Sequence, residues 1–139
     1  MGTDKKVVYE TKLPVIWGDM DAYGHINNVV YLRYFEQARV DWFAKDLALT
    51  ESTSPRGKEG PVVITANCEY LKPIEYPANI NIKLLTIPPG NSSFDLFYEI
   101  WDNDKDDILY TRGHTKMVWV DRIKMKPAPI PEFLREQLS

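Results

Sequence analysis

Residues 17–42 read WGDMDAYGHINNVVYLRYFEQARVDW, and the order of residue types in this stretch decides the fold. Asp19 and Asp21 open it, Tyr23 and Gly24 turn it, and His25, Asn27 and Asn28 precede a run without Gly or Pro. That order describes a strand end, a tight loop and a helix start. A helix start matters chemically, because its first N–H groups have no partner within the helix and set a partial positive field toward a developing negative charge.

Over 28–47 the apolar residues take helical spacing. Tyr31, Phe35, Ala38 and Trp42 share one face, and Arg33, Gln37 and Asp41 make a polar stripe opposite. Leu32 and Phe43 widen the apolar arc on one side and Tyr34 on the other, so the helix is expected to pack inside the domain against a broad sheet. Before it, 7–17 reads as a strand, with Pro14 marking an edge or an irregularity. After it, 48–61 is polar, rich in Ser, Thr, Pro and Gly, and is the one candidate for a mobile flap.

Four strand-like runs follow, 62–74, 78–87, 93–102 and 108–120. Lys72-Pro73, Pro88-Pro89-Gly90, the polar 102–107 turn and Asp121 close them in turn. Pro127, Pro129 and Pro131 then form an extended connection to a short helix at 132–138. A strand, one long helix and four consecutive strands make an α+β pattern, and short turns between strands favour antiparallel pairing. The expected architecture is a five-stranded antiparallel sheet wrapped around one long helix. A sheet edge and apolar surface are left over, which a second copy of the chain would cover.

Composition narrows the function classes. A chain of 139 residues with 44% apolar and 12% aromatic content suits a single domain over 1–139 with one core. A net charge of −3 and a pI near 5.4 argue against nucleic-acid binding, which usually needs a clearly basic face. No apolar run approaches the ~20 residues that cross a bilayer, and the first ten residues lack the apolar core of a signal peptide, so a soluble cytoplasmic protein is expected. Cys68 is the single cysteine, without an internal disulfide partner, and reads as a buried structural thiol.

The pattern W-x-D-x-D-x-x-G-H-x-N-N-x-x-Y-x-x-Y-F-E-x-A-R, as it stands from Trp17 to Arg39, resembles the N-terminal signature of hotdog-fold acyl-CoA thioesterases of the 4-hydroxybenzoyl-CoA thioesterase type. The strand order, the ending Val118-Trp119-Val120-Asp121 and the later Pro-Ile-Pro segment are similar too, so the resemblance spans essentially the whole chain. It implies that Asp21 is the catalytic carboxylate and that a backbone N–H near Asn28 holds the thioester carbonyl. It also implies active sites at the interface of a homodimer or homotetramer, with the CoA tail crossing onto the partner subunit.

Thioester hydrolysis needs a nucleophile or activated water and a stabiliser for the oxyanion; thiolate leaves readily. Asp21 supplies the first by direct attack or as a base on water, and its other reading is a cap on the loop. Asp19 reads as fixing loop geometry through backbone hydrogen bonds, with a tuning effect on Asp21 as the alternative. His25 would orient water, polarise the carbonyl or hold Asp21. Asn27 and Asn28 read as helix-start residues, a role compatible with presenting a backbone donor. Glu36 and Arg39 are placed to pair on the helix, and Glu36 is a rival catalytic carboxylate. Tyr31, Tyr34, Phe35 and Trp42 read as core or acyl-pocket lining, with Tyr31 nearest the helix start.

For the phosphates of CoA, one candidate is the backbone of Gly90, Asn91, Ser92 and Ser93, suited to a pyrophosphate or pantetheine. The other is the cluster Arg122, Lys124 and Lys126, with Lys58 and Lys72 as further cations. No Walker or Rossmann loop and no His/Cys metal constellation is present in the sequence, so neither a metal nor a cofactor is expected. Two other functions compete. One is a hydratase or dehydratase using the pair Asp21 and His25 as acid and base, although the Gly-Asp-x-Asn-Pro-x-His type of segment is missing. The other is a non-catalytic acyl-thioester binding module.

Overall fold

The side chain of Asn27 starts the long helix α1 (Asn28–Lys45) by accepting the N–H of Val29 at 3.2 Å. Asn in this position satisfies one of the donors that the first turn leaves free. The computed structural model describes residues 4–46 and 58–139. The expected flap falls mostly outside them, and its described end is already strand from Glu59.

Six strands form one antiparallel sheet: β1 (Lys6–Pro14), β2 (Glu59–Tyr70), β3 (Asn79–Thr86), β4 (Ser93–Asp102), β5 (Leu109–Asp121) and β6 (Lys126–Pro127). The order across it is β1-β3-β4-β5-β2, with β6 a short addition to β5. A second helix, α2 (Glu132–Leu138), closes the described chain. This is the hotdog arrangement, with six strands where five were expected. The extra strand comes from the presumed extended connection, where the N–H of Ala128 donates to the carbonyl of Trp119 at 2.9 Å. The first strand is shorter than 7–17, because Asp19 N–H donates to Ile16 O and Met20 N–H to Trp17 O, winding Trp17–Asp19 into a 3-10 turn.

The face of α1 assigned to the core is buried: Tyr31, Phe35, Ala38 and Trp42, together with Val30 and Tyr34. Opposite it stand the inward residues of the central strands, Ile80, Ile82 and Leu84 on β3 and Phe94, Leu96, Tyr98 and Ile100 on β4. Their period of two against the helix's 3.6 brings one apolar face to each. Phe35 lies stacked on Tyr98 with ring centroids 4.5 Å apart. No helix among the described residues is long and apolar enough to cross a membrane.

The two edges of the sheet differ. At β1, Pro14 sits at the strand end, where its missing N–H costs no ladder bond. At β2, Val63 is 43% exposed, Ile64 57% and Tyr70 47%, and on the flank of α1 beside it Val29 is 71% and Leu32 43% exposed. An edge strand of this length with apolar side chains on it is a template for pairing with another strand.

Candidate active site

Between the 3-10 turn and α1 the chain folds back tightly on itself. Asp21 N–H donates to His25 O at 2.8 Å and Gly24 N–H to Asp21 O at 3.1 Å. Gly24 adopts φ +80, a left-handed conformation that a side chain would strain. Two further bonds fix the loop to its surroundings, Ile26 N–H to Ile74 O at 2.8 Å and Asn27 N–H to Asp19 O at 2.9 Å. Ile26 is buried and acts as the anchor under the loop.

Asp21 is half-buried at the mouth of this turn. Its Oδ1 accepts the N–H of Tyr23 at 2.9 Å and that of His25 at 3.4 Å. The loop-capping geometry is therefore present, carried by one oxygen, and among the described residues Oδ2 has no hydrogen-bond partner. Asp21, His25, Asn28, Tyr31, Tyr70 and Lys72 line a cavity of about 190 Å³. The N–H of Asn28, first in α1, likewise has no partner among the described residues, while the next two are used: Val29 N–H by the Asn27 side chain and Val30 N–H by Asn27 O. The residue with a free carboxylate oxygen and the residue with a free helix-start donor thus line one cavity, which is the pairing that acyl transfer requires.

The other sequence candidates sort by geometry. Asp19 does not run parallel to Asp21, because the 3-10 turn breaks the extended backbone. Its carboxylate pairs with the guanidinium of Arg33 instead of with backbone N–H groups, and only its carbonyl serves the loop. That partner also holds the charge on Arg33, whose pKa is raised chiefly by the hydrogen bond to Asp19. The imidazole of His25 lies 3.6 Å from Glu75, so His25 holds Asp21 through its backbone N–H and not through its ring. Glu36 sits 3.9 Å from Arg39, which also donates to the Tyr98 hydroxyl at 3.2 Å, and Glu36 lines a separate groove beside β2.

Of the cations considered for the phosphates, Lys72 lines the Asp21 cavity itself, whereas the Gly90–Ser93 segment and the Arg122, Lys124 cluster are not brought to Asp21 within one chain. Ser93 pairs with Val118 and Glu59 with Asp121, at one end of the sheet, whereas Tyr70, which borders the cavity, pairs with Thr111 at the other. The segment Gly90–Ser93 is tied into the C-terminal part of the chain. Gly90 N–H donates to Ser93 O, Ser92 O accepts from Trp119 and Asn91 O from Ile130, and Arg135 donates to both Gly90 O and Asn91 O. Its carbonyls are occupied by the fold. Arg122 and Lys124 lie in the turn after β5, where Arg122 N–H donates to Lys58 O at 2.7 Å.

Sequence reasoning missed Tyr70. Its ring meets that of Tyr31 edge-on, with centroids 4.9 Å apart, and its hydroxyl donates to Asn28 O at 3.0 Å. Tyr31 in turn accepts the N–H of Ile74 at 3.3 Å. Loss of water around its hydroxyl, with the neighbouring Cys68 thiol adding to it, pushes the Tyr70 pKa up to about 12, and burial raises that of Tyr31. Both phenols therefore stay protonated across the neutral range. Cys68 is half-buried beside them, with its thiol pushed up by burial. The available sequence signal was the breaker Lys72-Pro73 just after the Tyr70 end of β2; the residues that follow it, Ile74 and Glu75, pair with Ile26 and His25 of the loop.

Comparison with known proteins identifies the family. A family model described as the thioesterase-like superfamily matches residues 15–138. A Pseudomonas aeruginosa structure named as a "putative Thioesterase" superposes with a TM-score of 0.87 at 35% identity, covering 96% of this chain and 100% of that one. A Xanthomonas campestris structure named as a "putative acyl-CoA thioesterase" gives 0.77 at 30% identity, covering 90% and 100%. YsmA of Bacillus subtilis is 30% identical over 111 residues, 80% of this chain and 71% of that protein. The match over nearly all of the chain, on a hotdog sheet with its loop and helix start in place, makes this protein a member of the thioesterase-like superfamily and a thioester hydrolase.

Proposed function

We propose that this chain hydrolyses acyl-CoA thioesters to a free carboxylic acid and CoA, with Asp21 as the catalytic carboxylate and the N–H of Asn28 as the oxyanion donor. The observation that carries this reading is the cavity that Asp21 and Asn28 line together, the Oδ2 of the one and the N–H of the other having no hydrogen-bond partner among the described residues. As the carbonyl carbon becomes tetrahedral its oxygen gains charge, and a backbone donor at a helix start is pre-aligned for it. Asp21 either attacks the carbon, forming an anhydride that water opens, or takes the proton of the attacking water. In both routes the C–S bond breaks, a C–O bond forms, and the thiolate leaves as CoA.

The working form is proposed to be a homodimer joined at β2, any pairing of dimers into a tetramer using other faces. The apolar side chains exposed on β2 and on the adjoining flank of α1 support this. Antiparallel pairing about a two-fold axis sets the Glu59 end of one β2 against the Tyr70 end of the other. The cations at Lys58, Arg122 and Lys124 would then approach the partner's cavity, where they are suited to the phosphates of CoA.

The test is release of free thiol from a panel of acyl-CoAs, followed for wild type and for Asp21→Asn, Asp19→Asn and Glu36→Gln. Asp21→Asn should lower kcat by about 10²-fold or more with KM near wild type. A normal rate for Asp21→Asn beside a dead Glu36→Gln would move the site from the loop to the helix. Absence of thiol release from every thioester would remove the acyl-CoA reading.

A further inference from the structure

Tyr70 has no part in the reaction as described, yet it is the one side chain of β2 bonded to the first residue of α1 among the described residues. We propose that Tyr70 is a positioning residue for the oxyanion donor, holding the Asn28 N–H in register with Asp21 through the Asn28 carbonyl. This rests on the acyl-transfer reading of the cavity.

Three ties fix the start of α1. Asn27 N–H donates to Asp19 O, the Asn27 side chain accepts from Val29, and Tyr70 Oη donates to Asn28 O at 3.0 Å. The first two are local to the loop and helix. Only the third reaches the sheet from the residue that carries the free donor. The N–H and C=O of Asn28 are joined through that residue's own φ and ψ, so restraining the carbonyl restrains the direction of the N–H. The ring of Tyr70 is itself held against Tyr31, and Tyr31 Oη is tied to Ile74 N–H, so the strut has a fixed base. Sub-ångström placement matters here: a 1 Å misplacement of a catalytic group can cost about 10²-fold.

The experiment is Tyr70→Phe, which keeps the ring and its edge contact with Tyr31 but removes the donor. On an acyl-CoA that the wild type cleaves, kcat should fall by about 10-fold while KM stays within about 2-fold. The Asn28 and Val29 amide resonances should move, a readout that needs no turnover. Tyr70→Ala should lose as much kcat and, lacking the ring in the cavity, also raise KM. Wild-type kcat in Tyr70→Phe, even with a lowered melting temperature, would make Tyr70 a stabilising contact and overturn the proposal. Unmoved amides would overturn it as well. Asp21→Asn measured in parallel separates the two failures. If Asp21→Asn is inactive and Tyr70→Phe is normal, only the Tyr70 assignment falls; if both are normal, the assignment of the cavity falls with it.

Discussion

Gly113 lies directly beneath Phe35: a Cβ placed on Gly113 would stand 2.3 Å from two carbons of the Phe35 ring. The ring fills the space that a side chain on β5 would take, and it stacks on Tyr98, the β4 partner of Gly113. The seating of α1 on the sheet, and with it the position of the helix start, depends on that bare backbone.

Gly113→Ala should therefore cost about 3 kcal/mol or more, at or beyond the upper end for overpacking a core, because β5 backbone and a buried aromatic ring both resist moving. Chemical denaturation measures it. Shortening the ring with Phe35→Leu removes the clash at the price of a cavity, so Gly113→Ala should cost much less in the Phe35→Leu background. Equal costs in the two backgrounds would show that the close approach is not what Gly113 provides.

Stability in acid should report on Asp102. Its carboxylate accepts the Tyr110 hydroxyl at 2.6 Å and the N–H groups of Asp104 and Lys105 at 2.8 and 2.7 Å. The Tyr110 bond first, and the backbone bonds after it, hold the Asp102 pKa below the usual carboxylate value. A depressed folded-state pKa means that the unfolded chain binds more protons in that window. The stability is thus complete above the unfolded value, about 4, and is lost as pH falls through the folded one. Tyr110→Phe and Asp102→Asn should each flatten the dependence of unfolding free energy on pH below about 4. Tyr110→Phe should also cost about 1–3 kcal/mol at neutral pH, as a hydrogen bond to a charged group lost at a buried position. An unchanged acid limb in both variants would rule the pair out.

How much of this was legible in sequence depends on how local each determinant is. The 93–102 strand and the 132–138 helix were readable to the residue because polar and Pro-rich segments bound them. The end of β1 was not, because Val15, Ile16 and Trp17 continue an apolar run while the backbone has already turned, leaving Trp17 69% exposed. Strand β6 depends on Ala128 meeting Trp119, a pairing that no local pattern encodes. In the cavity, Asp21, His25 and Asn28 were found because one loop and the helix start it leads into carry them all, while Asn27 between them caps the helix. Tyr70 and Lys72 arrive there through the register of β2 on β5, and Arg122 and Gly90–Ser93 lie elsewhere for the same reason. Clustering of residue types along the chain located what is contiguous; strand register decides the rest.

The length of β2 decides which subunit's cations can reach a given cavity. β2 runs from Glu59 to Tyr70, and its eleven steps of ~3.3 Å separate the two ends by about 36 Å along the strand. Asp21 borders the cavity at the Tyr70 end, and Lys58, Arg122 and Lys124 stand at the Glu59 end. If these cations bind the CoA phosphates, they must do so for the other subunit of an antiparallel pair. Arg122→Ala combined with Lys124→Ala should raise KM for acyl-CoA about 10-fold and remove much of its dependence on ionic strength, while a thioester of a short uncharged thiol is unaffected. Mixing then identifies the subunit. A chain carrying Asp21→Asn is inactive but has its cations; the Arg122→Ala, Lys124→Ala chain has Asp21 but binds poorly. In a hybrid of the two, one intact Asp21 faces one intact cluster, so refolding the chains together should create low-KM activity that neither has alone. If the cations serve their own chain's cavity, every hybrid site lacks one component and no low-KM activity appears. Equal salt responses for the charged and uncharged thioesters would remove the cluster from the site altogether.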